Sequence, residues 1–254
     1  MGQQWRQTYE RARVPGTIEP ISVHGHPGRW TVPRLAVHLV TAENRQLYWD
    51  SLEASFRLRH QVYVTERGWE TFRSVDGREV DAHDTHDAIY LLAIEDHDGR
   101  VVGSTRLLPT AKGVPLGEFP GLSGAYEFPR SPSAYHFSRF VVAADRRDGQ
   151  PINTVAAVLR AGLQEFCLSE NIDQLTILLP VSLLPVYLEL GWNPQPLGLP
   201  RTWGGVSCVA ATLDVSEVAL NQTRQHCGLT GPLLVRREIT RPVIAPTPIL
   251  KHLC

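Results

Sequence analysis

The spacing of apolar residues predicts alternating strands and helices after a polar beginning. Residues 1–33 are polar and rich in proline and glycine, which is typical of a tail or a loosely docked arm. The alternating run at 34–40 predicts a first strand, and apolar residues at helical spacing predict a helix over about 44–60. Residues 61–87 are polar, and a loop of that length inside a compact domain is usually functional or mobile.

The remainder of the chain continues this alternation more clearly. Apolar runs at 88–95 and 100–108 flank Asp98-Gly99, and Asp-Gly between such runs predicts a hairpin. The next elements are expected in the order strand, helix, strand, helix, strand, at about 135–143, 154–169, 175–179, 182–190 and 206–215. Gly191 follows the helix expected at 182–190, in the position of a C-terminal cap. This order favours an α/β fold with a mixed central sheet flanked by helices.

Length and composition narrow the class of protein. We expect one large domain over 34–227, with an N-terminal arm at 1–33 and a C-terminal extension at 228–254. A net charge of −1 gives no support for a nucleic-acid surface. No apolar run approaches the roughly 18 residues of a membrane span, and the N-terminus lacks a secretion signal. The four cysteines form no paired motif. We therefore expect a cytoplasmic protein with structural thiols.

The first candidate for chemistry is the turn before the helix at 154–169. Arg146, Arg147 and Gly149 precede a helix N-terminus, where backbone N–H groups and the helix dipole favour a phosphate. The turn resembles the acyl-CoA loop of GCN5-related N-acetyltransferases, although Pro151 stands at the next small position. An ordinary strand–helix turn is the alternative.

The second candidate is the segment 79–87, in which most residues are titratable. Metal binding by His83 and His86 is one interpretation, but their spacing does not match the metallo-hydrolase pattern, and we expect no metal. A solvated loop is another. In a third interpretation the carboxylates hold arginines and face a cationic substrate such as a sulfonium, with Tyr63 and Trp69 supplying aromatic faces.

Read in order, these residues resemble the LuxI-type acyl-homoserine-lactone (autoinducer) synthases over about 35–215. The matching residues are Leu58 to Val64, Gly68-Trp69, Glu79-x-Asp81-x-x-Asp84, Val102 to Thr110, Phe119 and Ser138-Arg139-Phe140. The resemblance implies a fold related to the GCN5-related N-acetyltransferases. It also implies an acyltransferase of quorum-sensing signal synthesis, which joins an acyl thioester to S-adenosylmethionine and releases methylthioadenosine.

The resemblance also implies roles for the matching residues. Arg59, Tyr63 and Trp69 would form a lobe that closes over S-adenosylmethionine, and Phe119 would line its pocket. The charged residues that hold this lobe and the substrate carboxylate would be Asp81, Asp84, Arg106 and Arg139. Ser138 would lie beside the bound substrate. Thr176 and Leu178 are expected to line the acyl pocket, with an ordinary core strand as the alternative.

Two residues depart from the family pattern. Tyr63 replaces a usual Phe, and His136 replaces the Glu of a Glu-x-Ser-Arg motif. A regular strand would place His136 and Arg139 on opposite faces, whereas a bulge would bring both to the cleft. With a pKa near 6.5, His136 would be a candidate general base for the amine. A buried, hydrogen-bonded core histidine is the alternative.

The resemblance implies no permanently bound cofactor, since S-adenosylmethionine and either acyl-CoA or an acyl carrier protein would be substrates. An acidic carrier protein would need an exposed basic patch, for which the nearest candidates are Arg146, Arg147 and Arg160. Two alternative functions are an N-acyltransferase of the same fold acting on another amine without lactonisation and a non-catalytic sensor of acyl thioesters. A metal-dependent hydrolase is the most distant alternative.

Overall fold

The computed structural model describes residues 35–113, 128–147, 149, 152–203 and 205–239. Compactness divides the chain into Met1–Val32 and Pro33–Cys254, and every described residue lies in the second unit. The α-helices are α1 (Trp49–His60), α2 (Thr154–Ser169), α3 (Leu184–Glu189) and α4 (Glu217–His226). The strands are β1 (Leu35–Val40), β2 (Ile89–Glu95), β3 (Val101–Pro109), β4 (Ala134–Val142), β5 (Gln174–Pro180), β6 (Gln195–Pro196), β7 (Arg201–Trp203), β8 (Val206–Asp214) and β9 (Leu234–Arg236).

One mixed sheet of nine strands organises the described chain. Its order is β6-β8-β5-β4-β3-β2-β1-β9, with β7 paired to β8. Strands β1 to β4 are antiparallel neighbours, whereas β4 pairs with β5, and β1 with β9, in parallel. The expected mixed sheet flanked by helices is confirmed. No helix among the described residues is both long and apolar enough to cross a membrane.

The two faces of the sheet are covered by different helices. Helix α2 begins at Asn153, whose side chain accepts a hydrogen bond from the Ala156 N–H. Its apolar residues pack on the face that carries Val37 and Phe137. Gly162 permits this close contact, since a Cβ there would lie 2.7 Å from Val37 Cγ2. Helix α1 packs on the opposite face, which we call the α1 face, against the apolar side chains Val40, Tyr90, Leu92 and Leu108.

Strand β4 is irregular at the centre of the sheet. Arg106 of β3 pairs with Ser138, but Ser104 pairs with Val141, so β4 has an extra residue opposite β3. Arg139 lies in this bulge with a φ of 56°, a left-handed conformation that is uncommon for residues other than glycine. Such conformations concentrate at functional sites.

The sheet also opens on the other side of β4. Strands β4 and β5 pair only over residues 134–136 and 174–176, although they continue to Val142 and Pro180. Beyond His136, the edge of β4 that faces β5 therefore has no strand partner. This opening lies next to the bulge.

Several elements were not anticipated from the sequence. The segment expected to be a loop from residue 61 begins with a π-helical continuation of α1, Gln61–Glu66. Helix α4 is mostly polar, with three buried residues in ten. Strand β9 has three residues and is defined by its pairing with β1. Strands β6 and β7 are similarly short and are defined by pairing with β8.

Candidate active site

Six charged side chains meet on the α1 face. This charged cluster consists of Arg59, Glu79, Asp81, Asp84, Arg106 and Arg139. Arg59 comes from α1 and is 1% exposed. Its Nε donates to Glu79 Oε2, and its Nη1 and Nη2 donate to the two oxygens of Asp84 at 2.8 and 2.9 Å. This arginine therefore anchors the 79–84 segment to α1, and each of its three nitrogens already binds a carboxylate.

Arg106 of β3 is equally enclosed. Its side chain is 0% exposed, and its Nη1 lies 2.6 Å from Asp81 Oδ1 and 2.9 Å from Asp84 Oδ1. Its Nη2 donates to Asp81 at 3.0 Å, and its Nε lies 3.4 Å from Ser138 Oγ. Arg106 is therefore enclosed and bound to the carboxylates of Asp81 and Asp84.

Asp81 and Asp84 are held in their charged form. Burial alone would raise the pKa of Asp84, but its hydrogen bonds and charge interaction with Arg59, and the charge of Arg106, lower it well below the usual value. Arg106 and Arg139 likewise overcome burial and lower the pKa of Asp81. The Tyr90 hydroxyl donates a further hydrogen bond to Asp84 at 2.8 Å. Asp81 and Asp84 are thus charged partners of the arginines of the cluster.

Arg139 lies at the exposed edge of this network. Its Nε donates to Glu79 at 3.2 Å and its Nη2 donates to Asp81 at 2.6 Å. Its Nη1 has no acceptor in the part of the chain that the structure describes. Arg139 and Asp81 are 18% and 22% exposed, and the other four members are at most 2% exposed. Arg139 Nη1 is therefore the donor that the cluster offers to a ligand.

An aromatic group adjoins Arg139. The rings of Tyr63 and Trp69 stack with centroids 5.4 Å apart and planes 10° apart, and Phe72 packs against both. The Arg139 guanidinium lies 4.7 Å from the Phe72 ring centroid. Arg67 lies 5.4 Å from the Trp69 ring, so a substrate cation at this ring would share or displace an existing one. Tyr63 lies in the π-helical turn after α1, and Phe72 lies in the short helical turn Glu70–Phe72 that follows Trp69.

The environment of His136 corrects the pKa expected from the sequence. His136 is 3% exposed, and its Nδ1 lies 3.1 Å from Thr176 Oγ1. Burial, together with the positive charge of Arg106, lowers its pKa to about 3. The bulge does bring Arg139 close enough to contribute to this shift. An imidazole with this pKa is neutral near pH 7 and a weak base, so the premise of a pKa near 6.5 was wrong.

The residues expected to line the acyl pocket lie beside His136. Thr176 is buried and faces His136, while Leu178 is partly buried and packs against Leu197 and Ala210. This small apolar group follows the opening between β4 and β5. Phe119 lies outside the described residues.

The turn before α2 is less basic than its sequence suggests. Arg146 pairs with Glu95 at 2.9 Å, and Arg147 pairs with Glu66 at 2.6 Å. Gly149 has a φ of 78°, as a tight turn requires. Arg160, offered as part of an exposed basic patch, is 3% exposed, and that expectation was wrong because its side chain is buried. A phosphate at this turn would depend mainly on backbone N–H groups.

Metal ligands do not converge at the charged cluster in the described part of the chain. The group of side chains close enough to share an ion is Glu95, His97 and Asp98 in the β2–β3 hairpin, and Glu95 already binds Arg146. The carboxylates next to His83 are occupied by arginines, and Asp81 accepts a hydrogen bond from the His83 backbone N–H.

Three residues of the site received no role from the sequence. Glu79 bridges Arg59 and Arg139 although it is 2% exposed. Its place in the Glu-x-Asp motif was a usable signal, because a carboxylate among buried positions needs cationic partners. Phe72 and Tyr90 carry no comparable signal, since their contacts come from tertiary structure.

Comparison of this sequence with those of known proteins identifies several relatives. Residues 43–223 match the family model of autoinducer synthases. The isovaleryl-homoserine lactone synthase of Bradyrhizobium diazoefficiens is 41% identical over 203 residues, which cover 80% of this chain and 89% of the relative. The acyl-homoserine-lactone synthase of Acinetobacter nosocomialis is 30% identical over 166 residues, which cover 62% of this chain and 88% of the relative.

Solved structures agree with these matches. BjaI, a coenzyme A-dependent acyl-homoserine lactone synthase solved with S-adenosylmethionine and isopentyl-CoA, superposes with a TM-score of 0.75 at 39% identity. The match covers 81% of this chain and 94% of BjaI. MesI, another coenzyme A-dependent acyl-homoserine lactone synthase, has a TM-score of 0.70 at 34% identity, with 78% and 98% of the two chains covered.

Proposed function

Because this chain belongs to the autoinducer synthase family, we propose that its charged cluster and aromatic group bind S-adenosylmethionine for conversion to an N-acyl-L-homoserine lactone. The chain is an acyltransferase of the acyl-homoserine-lactone synthase type, as its residues suggested. The residue roles, the acyl carrier and the path of the proton are our proposals.

The observation that carries the proposal is the position of Arg139. Its Nη1 has no acceptor among the described residues and lies at the exposed edge of the cluster, beside the stacked rings of Tyr63 and Trp69. A guanidinium suits the methionyl carboxylate, and aromatic faces suit a sulfonium. The oxygens of Asp81 already accept bonds from Arg106, Arg139 and the His83 backbone N–H, so Asp81 acts on the ammonium through its charge.

The reaction then proceeds in two steps, amide formation and lactone closure. The neutral α-amine attacks the thioester carbonyl carbon, a C–N bond forms and the C–S bond breaks. The proton that the nitrogen loses passes to the thiolate, which leaves as the thiol. The ammonium first loses its proton to solvent at the exposed edge beside Asp81, since His136 is too weak a base. The methionyl carboxylate next attacks its own γ-carbon, and the bond to the sulfonium breaks to release methylthioadenosine. Geometry dominates this second step, because the sulfonium is already a good leaving group.

The bulge in β4 and the opening between β4 and β5 are the parts of the site that would bind the acyl thioester. Backbone N–H groups on the β4 edge beyond His136 have no ladder partner in β5, so they are available to the oxyanion that forms on the thioester. The apolar side chains Leu178, Leu197 and Ala210 follow this opening and would face the acyl chain.

We also propose coenzyme A as the carrier of the acyl group. BjaI and MesI are coenzyme A-dependent. In addition, Arg146 and Arg147 are paired with carboxylates, and Arg160 is buried. These three residues therefore do not form the exposed basic surface that an acidic carrier protein would need.

The test is to supply S-adenosylmethionine with a short acyl-CoA, isovaleryl-CoA first, and to measure free thiol and methylthioadenosine together. We expect equal amounts of the two products. Thiol release without methylthioadenosine would instead indicate acylation of the amine without lactonisation. A higher kcat/KM with the same acyl group on acyl carrier protein would contradict the choice of coenzyme A.

A further inference from the structure

Arg160 of α2 is a buried guanidinium that the charged cluster does not use. The residue is 3% exposed. Its Nε and Nη1 are shielded from water and have no hydrogen-bond acceptor among the described residues. No carboxylate in that part of the chain forms an ion pair with it. A buried charge without a partner is strongly unfavourable, so a ligand that supplies an acceptor would relieve it.

The surroundings of Arg160 place it at the opening between β4 and β5. Its Cζ lies 4.9 Å from the ring centroid of Phe140 and 5.4 Å from that of Tyr187. Phe140 stands on β4 beyond the last residue paired with β5, and Tyr187 belongs to α3, which follows β5. The guanidinium therefore lies where these strands part, on the face covered by α2.

The acyl donor has to pass this point. Its thioester must reach the α1 face, where the charged cluster lies, while the start of α2 offers backbone N–H groups to the pyrophosphate of coenzyme A. Thr154 and Arg160 are six residues apart, which is about 9 Å along a helix. The arm that joins the pyrophosphate of coenzyme A to its sulfur contains two amide groups, and their carbonyl oxygens are hydrogen-bond acceptors.

We propose that Arg160 binds the pantetheine arm of the acyl donor, donating hydrogen bonds from its Nε and Nη1 to an amide carbonyl oxygen. The inference rests on the proposed coenzyme A donor and adds a binding residue to it. Arg160 selects for the arm and makes no contact with S-adenosylmethionine. Phe140 and Tyr187 hold the guanidinium in place from two sides.

The test compares Arg160→Met with the wild type and with Arg236→Met. The control arginine also lies over a ring, with Cζ 5.8 Å from the Phe166 centroid, but it is 41% exposed and distant in sequence from the opening. Calorimetry is done with coenzyme A and with adenosine 3′,5′-bisphosphate, which lacks the arm. We expect Arg160→Met to weaken coenzyme A on the order of 10- to 100-fold and to leave the bisphosphate unchanged. The KM for acyl-CoA should rise, and the KM for S-adenosylmethionine should not.

Stability separates this role from a structural one. Replacing an unpaired buried charge by a similar apolar side chain should leave the melting temperature unchanged or raise it. A lower melting temperature with unchanged coenzyme A affinity would overturn the inference, as would equal losses for both ligands. Should Arg160→Met fail to fold, Arg160→Lys should show a smaller loss of coenzyme A affinity, and wild-type affinity there would equally overturn it. If the wild type binds no coenzyme A, the proposal that coenzyme A carries the acyl group is contradicted, and the role of Arg160 is contradicted with it.

Discussion

Replacement of Asp84 by asparagine tests whether the charged cluster holds the site together. Asp84 is 1% exposed and accepts hydrogen bonds from Arg59 at 2.8 and 2.9 Å, from Tyr90 at 2.8 Å and from the Asp81 backbone N–H at 2.8 Å. Asparagine keeps the shape but removes the charge. It leaves Arg59 and Arg106, which are 1% and 0% exposed, without a full counter-charge.

The expected loss is large for one isosteric change. Removing one partner of a buried ion pair destabilises a protein by about 3–5 kcal/mol. In a domain of this size, that corresponds to a fall of roughly 10 °C in melting temperature. Because the pKa of Asp84 is lowered in the folded state, its stabilisation is present above the unfolded pKa of about 4 and is lost as the pH falls below it.

The assay is urea denaturation of the wild type, Asp84→Asn and the control Asp87→Asn at pH 7.5 and at pH 3.5. Asp87 pairs with Lys112 at the surface, so its variant should resemble the wild type. We expect a wide gap between the wild type and Asp84→Asn at pH 7.5 and a narrower gap at pH 3.5. Equal unfolding free energies at pH 7.5 would refute the role of the cluster.

Three further outcomes follow from the site. Arg139→Ala should abolish turnover in a folded protein, whereas Arg106→Ala should also lower the unfolding free energy, because Arg106 is fully enclosed. Since the pKa of His136 is about 3 when folded, the wild type should lose roughly 2 kcal/mol of stability between pH 6.5 and pH 5 through this residue, and His136→Gln should lack that component. Trp69→Leu should weaken S-adenosylmethionine by about 0.5–2 kcal/mol more than methylthioadenosine, and equal weakening in calorimetry would indicate packing alone.

The sequence predicted the elements whose apolar pattern is strong. Helix α2 begins and ends at the predicted residues, and the hairpin of β2 and β3 follows from its Asp-Gly turn. Helix α4 was missed because most of its face is polar, although Ser216 accepts a capping bond from the Ala219 N–H. Strand β9 is defined by its pairing with β1, which no local pattern encodes.

The sequence indicated which residues meet at the site, but it did not indicate which of them are enclosed and which are exposed. The motif identified Arg59, Arg106 and Arg139 together, yet only the structure separates the two enclosed arginines from the exposed one. The same holds for His136, whose pKa depends on burial and on Arg106 across the sheet. These properties arise from tertiary contacts, which residue spacing does not contain.

The most direct test of the account uses decarboxylated S-adenosylmethionine, which keeps the amine and the sulfonium but lacks the carboxylate. Binding of this compound and of S-adenosylmethionine is measured by calorimetry with the wild type and with Arg139→Ala. The account predicts that the wild type prefers S-adenosylmethionine on the order of 10- to 100-fold, and that Arg139→Ala loses most of this preference. An equal preference in both proteins would show that Arg139 does not hold the carboxylate and would contradict the proposed site.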